Sequence, residues 1–556
     1  TATIAIGYGA AYSQNYDGSS GTVVIGHNAG YHNVTGVNNT YLGKGSGLGA
    51  SGQSNSYNTA VGADALLAIT TGTQNVTVGA AAMVAVTTGG YNISMGVSSL
   101  ESNVSSNYNT ALGHGAGGQT TGGNNTYVGA VAGNAITTGS GSAFLGYDAG
   151  GTVTTGNMNI AIGNDAMNGG TTTGDNNIAI GVSAGDALTS GFDNIGIGEN
   201  SQGANVSGYN NVSVGANSLP ALTSGTSNVA IGKNTMVAAD GGESDNVAIG
   251  VDVMVSVNNP LSDGNIAIGQ DSLTGGTGGI SDNIAIGRNA LNSTAGNNQT
   301  GSIAIGKDAL TALTSGAQNT AIGYQALDAL TTGNYNTAVG YQALSAQSSD
   351  RSGATAVGAQ ALYQNAPAGT TDYSAAFGQE AGSNQTTGYQ NTFLGGQTSG
   401  NGTDAINQIV IGYHAAGTGD NYAVIGNDAI TRVYAGDDTG ATLYAGSATV
   451  QTSDRRIKEK IESIDLGLDF INKLTPVQYE KRQPIDYDDS LKENLRWYKE
   501  NESPRVLDDS EKSKQRVGFI AQEVGDVLEE LGYDSNNDMV DVDEVTTQQH
   551  RIIRTE

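Results

Sequence analysis

The segment Asn283-Ile284-Ala285-Ile286-Gly287 is one copy of a motif that recurs, with small variations, twenty-five times, with closing glycines from Gly7 to Gly426. Successive closing glycines are mostly about 17–19 residues apart, and such a short period indicates a stacked array of one small unit. Ile284 and Ile286 alternate with the small Ala285, as in a β-strand whose branched residues share one face. The glycine is expected at a bend with positive φ or at a close approach between backbones.

The remainder of each repeat completes a coil. A second apolar pair, such as Ala309-Leu310 or Ala326-Leu327, is followed by a polar turn that leads to the next copy. A repeat of this length predicts two short strands and two turns, hence a mainly β fold, a narrow parallel solenoid. Coils stacked at roughly 4.8 Å would form a rod on the order of 120 Å long. One face should carry a long apolar row, which a monomer rarely exposes, so several chains are expected to pack side by side.

The unit Asn-x-Ala-Ile-Gly-x-x-Ala, seen at residues 283–290, resembles the head repeats of trimeric autotransporter adhesins (YadA-like heads). Similar runs occur in bacteriophage tail fibres. The resemblance covers residues 1–430 and implies a trimeric left-handed β-roll, although the period here is longer than the one usual in adhesin heads.

Charge divides the chain into two parts. Residues 1–450 hold six basic and 26 acidic residues and 80 of the 84 glycines, whereas residues 451–556 hold 16 basic and 25 acidic residues. We expect a repetitive fibre over 1–430, a β-rich neck or linker over 431–452 and a small α/β, helix-rich globular domain over 453–556. So few Lys and Arg in the fibre predict no nucleic-acid binding. The net charge of −29 favours solubility and identifies no partner.

Composition also limits cofactors and membrane association. The chain has no cysteine, which excludes disulfides and zinc–thiolate sites, and no apolar run long enough to cross a bilayer, so no membrane insertion is expected. Asp and Asn residues that follow the repeat glycine are interpreted as turn caps rather than calcium ligands. No cofactor and no metal are therefore predicted. The first residue is Thr rather than Met, which indicates a processed chain or a fragment.

Tyrosine is abundant, with 25 residues against six Phe and one Trp. Five of these tyrosines directly follow the repeat glycine: Tyr8, Tyr147, Tyr324, Tyr341 and Tyr413. Exposed tyrosine rows can stack on sugar rings, or they can line a seam between chains, and the sequence leaves both interpretations open. No pair of acids stands out as a glycosidase centre.

The C-terminal region has a different pattern. Ser453 is a good helix N-cap, and apolar residues recur at helical spacing from Ile457 to Leu468, so a helix is predicted that ends before Pro476. Residues 477–480 are interpreted as a strand and residues 482–514 as a charged, exposed insertion. A second helix is expected to open with residues 517–524 and to run to about Leu531.

Three ordered segments, 453–458, 474–479 and 518–524, resemble the hallmarks of the C-terminal intramolecular chaperone of phage endosialidases and tail spikes, a self-cleaving peptidase family. They read Ser-Asp-x-Arg followed by an aliphatic residue and Lys, Leu-x-Pro-Val-x-Tyr, and Gly-Phe-x-Ala-Gln-Glu-Val. The resemblance implies that this domain brings three chains into register and then cuts itself off. Family members usually continue into a long terminal helix; this chain stops at about its start, which predicts a C-terminal truncation.

The resemblance also implies the roles of five residues at the junction. Ser453 would attack the carbonyl carbon of Thr452, and Lys458 would act as the general base of a Ser-Lys dyad, while Asp454 and Arg456 would orient these groups. Lys458 lies about one and a half helical turns from Ser453, so trimer packing is expected to complete the site. The alternative is a capped amphipathic helix whose Lys458 is merely solvated.

The predicted function is a homotrimeric phage tail fibre, located in the virion, that contacts a host-surface glycan or protein receptor and other phage tail proteins. Self-cleavage would be its one enzymatic activity. Two alternatives remain open: a bacterial cell-surface trimeric adhesin and a tail-spike polysaccharide depolymerase. The first would carry an outer-membrane anchor, and the second would release oligosaccharide from host capsule.

Overall fold

The computed structural model describes residues 3–15, 21–293, 298–347, 351–364, 372–431, 433, 470, 472–479, 516–518, 526–527 and 530–531. The chain divides into two compact units, Thr1–Tyr434 and Ala435–Glu556, which are described separately. Within the described residues, no helix is long and apolar enough to span a membrane.

The described part of the chain forms short strands, almost all three residues long. Their bounds are β1 Ile4–Ile6, β2 Val23–Ile25, β3 Thr40–Leu42, β4 Thr59–Val61, β5 Val76–Val78, β6 Ile93–Met95, β7 Thr110–Leu112, β8 Thr126–Val128, β9 Ala143–Leu145, β10 Ile160–Ile162, β11 Ile178–Ile180, β12 Ile195–Ile197, β13 Val212–Val214, β14 Val229–Ile231, β15 Val247–Ile249, β16 Ile266–Ile268, β17 Ile280–Ser281, β18 Ile284–Ile286, β19 Gln299–Thr300, β20 Ile303–Ile305, β21 Thr320–Ile322, β22 Thr337–Val339, β23 Thr355–Val357, β24 Ala375–Phe377, β25 Thr392–Leu394, β26 Ile409–Ile411, β27 Ala423–Ile425, β28 Val477–Tyr479 and β29 Arg516–Gly518.

Twenty-five of these strands, one from each motif copy, form a single parallel sheet. Each strand pairs with the equivalent strand of the next coil in the same register; in β18 and β20, Ile284 lies opposite Ile303 and Ala285 opposite Ala304. The predicted parallel solenoid is therefore confirmed. Two further pairs lie outside this sheet: β17 with β19, in parallel, and β28 with β29, antiparallel.

The prediction of two strands in each coil is wrong. The second apolar pair lies in a turn in which every second residue has left-handed backbone, as Gln325 and Leu327 show, each with a φ of 52°. The turn still bonds to its neighbours, because the N–H of Gln325 donates to Lys307 O at 3.0 Å and that of Leu327 to Ala343 O at 3.1 Å. The ladder between coils thus continues through residues that are not extended.

The glycine that closes each motif is required by the stacking. Gly323 has a φ of +140°, and a Cβ placed on it would lie 2.3 Å from the carbonyl oxygen of Gly340 in the next coil. Equivalent glycines along the sheet show the same approach, for example Gly62, whose Cβ would lie 2.5 Å from Gly79 O. Both expectations, a positive φ and a close backbone approach, are confirmed.

An asparagine precedes most strands of the sheet, and these asparagines form a buried ladder inside the coils. Asn336 is fully buried, and its backbone N–H donates to Asn319 Oδ1 at 3.0 Å. Its Nδ2 donates to Arg351 O at 2.7 Å, while its Oδ1 accepts from the N–H of Ala354 at 3.0 Å. One side chain therefore satisfies backbone groups in neighbouring turns that would otherwise be buried without partners.

The core is filled by two positions whose sizes compensate each other. Most coils place a small residue at the strand centre and Leu or Met six residues later, as with Ala321 and Leu327, both fully buried. In three of the four sheet strands with an aromatic centre the residue six positions later is glycine, the exception being Phe393 with Ser399. A Cβ on Gly150 would lie 2.5 Å from the ring of Phe144. The same holds for Tyr127, whose ring would be 2.4 Å from a Cβ on Gly133. The interior of a coil thus accommodates one large side chain.

This compensation predicts a rescue. Phe144→Ala should cost about 3–5 kcal/mol through a cavity, and Gly150→Leu should destabilise by about 1–3 kcal/mol or more through the clash with Phe144. The double variant recreates the Ala and Leu pairing of other coils, so the coupling should be favourable by about 2 kcal/mol. The coupling is measured from the unfolding free energies of the wild type, the two single variants and the double variant. Additive effects of the two substitutions would contradict the size compensation between these positions.

In the C-terminal unit, residues 470, 472 and 473 have helical backbone and residues 474–476 do not, as expected for a helix that ends before Pro476. The predicted strand is confirmed as β28. The expectation that the second helix opens at Val517 is wrong, because Val517 and Gly518 belong to β29. Helical backbone is seen at residues 526, 527 and 530 instead. The remainder of both predicted helices and the insertion 482–514 lie outside the described residues.

Candidate functional site

Strands β28 and β29 bring two of the three C-terminal sequence segments together. Val477 lies opposite Gly518, and Gln478 lies opposite Val517, in an antiparallel pair. The segment 474–479 therefore contacts the start of the segment 518–524, although the whole charged insertion separates them in sequence. The two segments form one structural unit, as expected if both serve the same site.

The helical residues on either side of this strand pair are also joined. Lys473 Nζ lies 2.5 Å from Glu530 Oε1, and the N–H of Leu531 donates to Val527 O at 3.1 Å, a helical hydrogen bond. Both partners of the ion pair are substantially exposed, so it contributes little stability by itself. It places the end of the first helical segment beside the second.

The residues predicted to perform cleavage are Thr452, Ser453, Asp454, Arg456 and Lys458. All five lie outside the described residues, so their roles stay predictions.

The two paired strands, β28 and β29, also lie within a single match to a protein-family model. Residues 453–533 match the family model described as chaperone of endosialidase (Peptidase_S74). Over these residues the C-terminal region is similar to endosialidase-chaperone domains. The match starts at Ser453 and includes both β28 and β29, and it leaves the solenoid outside. No curated protein matches the chain. A β-solenoid followed by an endosialidase-chaperone domain fits a tail-fibre-like protein.

The solenoid presents a largely apolar surface, here called the outer face, made of the first and third residues of the sheet strands; the third residue is apolar in every strand. Side chains at strand centres point into the coil, so their neighbours point out. The predicted apolar row is thus confirmed, with the branched residues outside and the small ones inside. Among the most exposed members, at 36% to 57%, are Ile4, Ile6, Leu42, Val78, Met95, Leu145, Ile197, Ile231, Ile322, Phe377, Leu394, Ile409 and Ile425.

Among the described residues of the solenoid, three carboxyl groups have raised pKa values, each shifted mainly by burial. Desolvation raises the pKa of Glu243, whose Oε2 accepts from the N–H of Gly241 at 3.0 Å, and the pKa of Asp328, which accepts from Ser345 Oγ at 2.6 Å. It also raises the pKa of Asp186. The three residues belong to separate coils. Across the described residues, no group of three or more His, Asp or Glu is placed to hold a metal ion.

The residue that directly follows each repeat glycine forms a second row, here called the post-glycine column. It contains the five tyrosines named above and also four of the six basic residues of the first 450 residues. These four basic residues are Lys44, Lys233, Arg288 and Lys307. Sequence reasoning noted the tyrosines and missed that the cations share their position, although alignment of the repeats on the glycine would have shown it.

Proposed function

We propose that the protein is a homotrimeric phage tail fibre that contacts the host surface, and that its C-terminal domain registers three chains and then cleaves itself off before Ser453. The observation that carries the proposal is the endosialidase-chaperone match at 453–533 directly after a β-solenoid. In this proposal the solenoid is the part retained in the virion, attached to other tail proteins.

The outer face supports assembly of several identical chains. It runs through every strand of the sheet: the third residue of each strand is Ile, Val, Leu, Met or Phe, and exposed threonines interrupt the first position in β3, β8 and β25. Burying such a face against itself requires copies of the same chain in the same register, because only then do equivalent apolar rows meet along their length. The number three follows from the resemblance to adhesin heads.

The need for a registering domain follows from the sheet itself. Successive strands are nearly identical in β16, β18 and β20, each Ile-Ala-Ile, so a chain displaced by one coil would still present a matching outer face. A clamp at one end removes that ambiguity during folding. Once this domain is cut off, the assembled rod lacks the element that could reverse its assembly. The lifetime of the rod is then set by its unfolding rate rather than by an equilibrium.

Ile322→Asp is expected to disrupt the trimer, because every copy would bring a carboxylate to the same level of an apolar interface. Sedimentation should show a shift toward monomers, and circular dichroism should retain the β signal, since Ile322 points away from the core. Thr332→Asp is the matched control: it adds the same charge at an exposed turn of the same coil and should leave the trimer intact. Trimers of equal stability in both variants would contradict assembly through the outer face.

Host attachment is tested with the labelled trimer on candidate host cells. Saturable binding without change to the capsule supports a binding fibre. Release of oligosaccharide from host capsule would instead indicate the polysaccharide depolymerase.

A further inference from the structure

The post-glycine column has an unusual run of four residues in consecutive coils. Arg288, Lys307, Tyr324 and Tyr341 directly follow β18, β20, β21 and β22 and their closing glycines. We call these four residues the cationic–aromatic strip. Because neighbouring strands lie about 4.8 Å apart, the strip is about 14 Å long.

Three of the four side chains of the strip, those of Lys307, Tyr324 and Tyr341, lie in contact, one after the other. The rings of Tyr324 and Tyr341 stack with centroids 5.6 Å apart and an interplanar angle of 9°. Lys307 Nζ lies 5.2 Å from the centroid of the Tyr324 ring, within the range of a cation–π interaction. These contacts hold a cation beside two aromatic rings, and Tyr324 and Tyr341 remain 38% and 50% exposed.

The charge of the strip is only partly neutralised. Lys307 Nζ lies 3.2 Å from Asp308 Oδ2, and Asp308 Oδ1 accepts from Asn289 Nδ2 at 2.8 Å. Arg288 is exposed, and its guanidinium forms no ion pair with any described residue. Two cations therefore face one carboxylate, in a fibre region whose other charges are mostly acidic.

We propose that the cationic–aromatic strip binds an anionic polysaccharide, a deduction that rests on the proposed role in host attachment. Arg288 and Lys307 match carboxylate, sulfate or phosphate groups, and the tyrosine edges and faces match the apolar faces of sugar rings. Four side chains presented by successive coils suit an extended polymer better than a compact ligand. The acidic remainder of the rod repels such a polymer and thereby directs it to the strip.

A second group at the start of the solenoid also combines aromatic rings with a cation. Tyr8, His27 and Lys44 follow the glycines of three consecutive coils, and the rings of Tyr8 and His27 stack at 5.4 Å with an interplanar angle of 21°. Tyr8 is 80% exposed. The recurrence of aromatic rings beside a cation in this one column supports a shared role in binding.

The test uses the full chain in its assembled form, with polygalacturonate and dextran sulfate as probes and uncharged dextran as the neutral polymer. Arg288→Gln combined with Lys307→Gln should weaken binding to both anionic probes by about tenfold or more, with a smaller dependence on salt. Tyr324→Ala combined with Tyr341→Ala should weaken it comparably. The matched control is Lys233→Gln, which removes a cation of the same column whose neighbours in that column are Ala216 and Val251; it should bind as the wild type does.

Three results would overturn the inference: no binding of the anionic probes by the wild type, unchanged binding by the double cation variant, or an equal loss with Lys233→Gln. Dissociation of the trimer by the tyrosine variants would assign those rings to a seam between chains and would also overturn it. Failure of the proposed function is distinguishable. If the wild type binds host cells and the strip variants bind them equally well, host attachment is retained and the proposed role of the strip is wrong. If the strip binds the anionic polymers but the wild type binds no host cell, the strip proposal is retained and the proposed host attachment is wrong.

Discussion

The Ser453→Ala chain is expected to remain uncut, whereas the wild type separates into residues 1–452 and 453–556. Serine is a weak nucleophile until a base removes its proton, and alanine has no hydroxyl at all, so cleavage should slow by at least about 10³-fold. Lys458→Ala should slow it as well, since a desolvated lysine is the proposed base. The measurement is the denatured mass of freshly expressed protein.

Ser463→Ala is the control, because it removes a hydroxyl from the same predicted helix without touching the junction. It should be cut as the wild type is. Cleavage of the Ser453→Ala chain at the wild-type rate would contradict the assignment of the nucleophile. An intact wild-type chain would contradict self-cleavage, and the chaperone role would then rest on trimer assembly alone.

Gly323→Ala should destabilise the solenoid by about 3 kcal/mol or more, through two separate costs. The Cβ would lie 2.3 Å from the carbonyl oxygen of Gly340, and the φ of +140° disfavours any side chain. Neither backbone can move away freely, because each is held in the ladder: the N–H of Gly323 donates to Ile305 O at 2.7 Å, and that of Gly340 to Ile322 O at 2.7 Å.

Repeat arrays unfold through neighbouring units, so the readout should be local as well as global. We expect a lower melting temperature together with protease cutting near the altered coil. Gly242→Ala is the matched control, since the nearest atoms to its Cβ, Pro260 Cβ and Ser224 Oγ, would both be 3.9 Å away. Equal loss of stability in both variants would show that the close approach between coils is not the cause.

The C-terminal unit shows where local pattern misleads. Val517 and Gly518 open a segment whose sequence favours a helix, yet they form β29. Their partner, β28, lies on the far side of the charged insertion in sequence, and the hydrogen bonds of that pair outweigh the local preference. Lys473 and Glu530 meet for the same reason, since no local spacing relates them. The five junction residues from Thr452 to Lys458 rest on motif resemblance.

Period and alternation were enough to predict the parallel stack of motif strands and the glycine at each close approach, because both are local properties; they did not show that the second apolar pair lies in a turn. Tertiary structure alone decided which face points inward. Alternation shows that Ile284 and Ala285 face opposite ways, but it does not assign the core. In this narrow coil Leu291 already occupies the interior, so only Ala285 fits beside it and the isoleucines are left outside. The surface proposed to join the chains is a consequence of that limited volume.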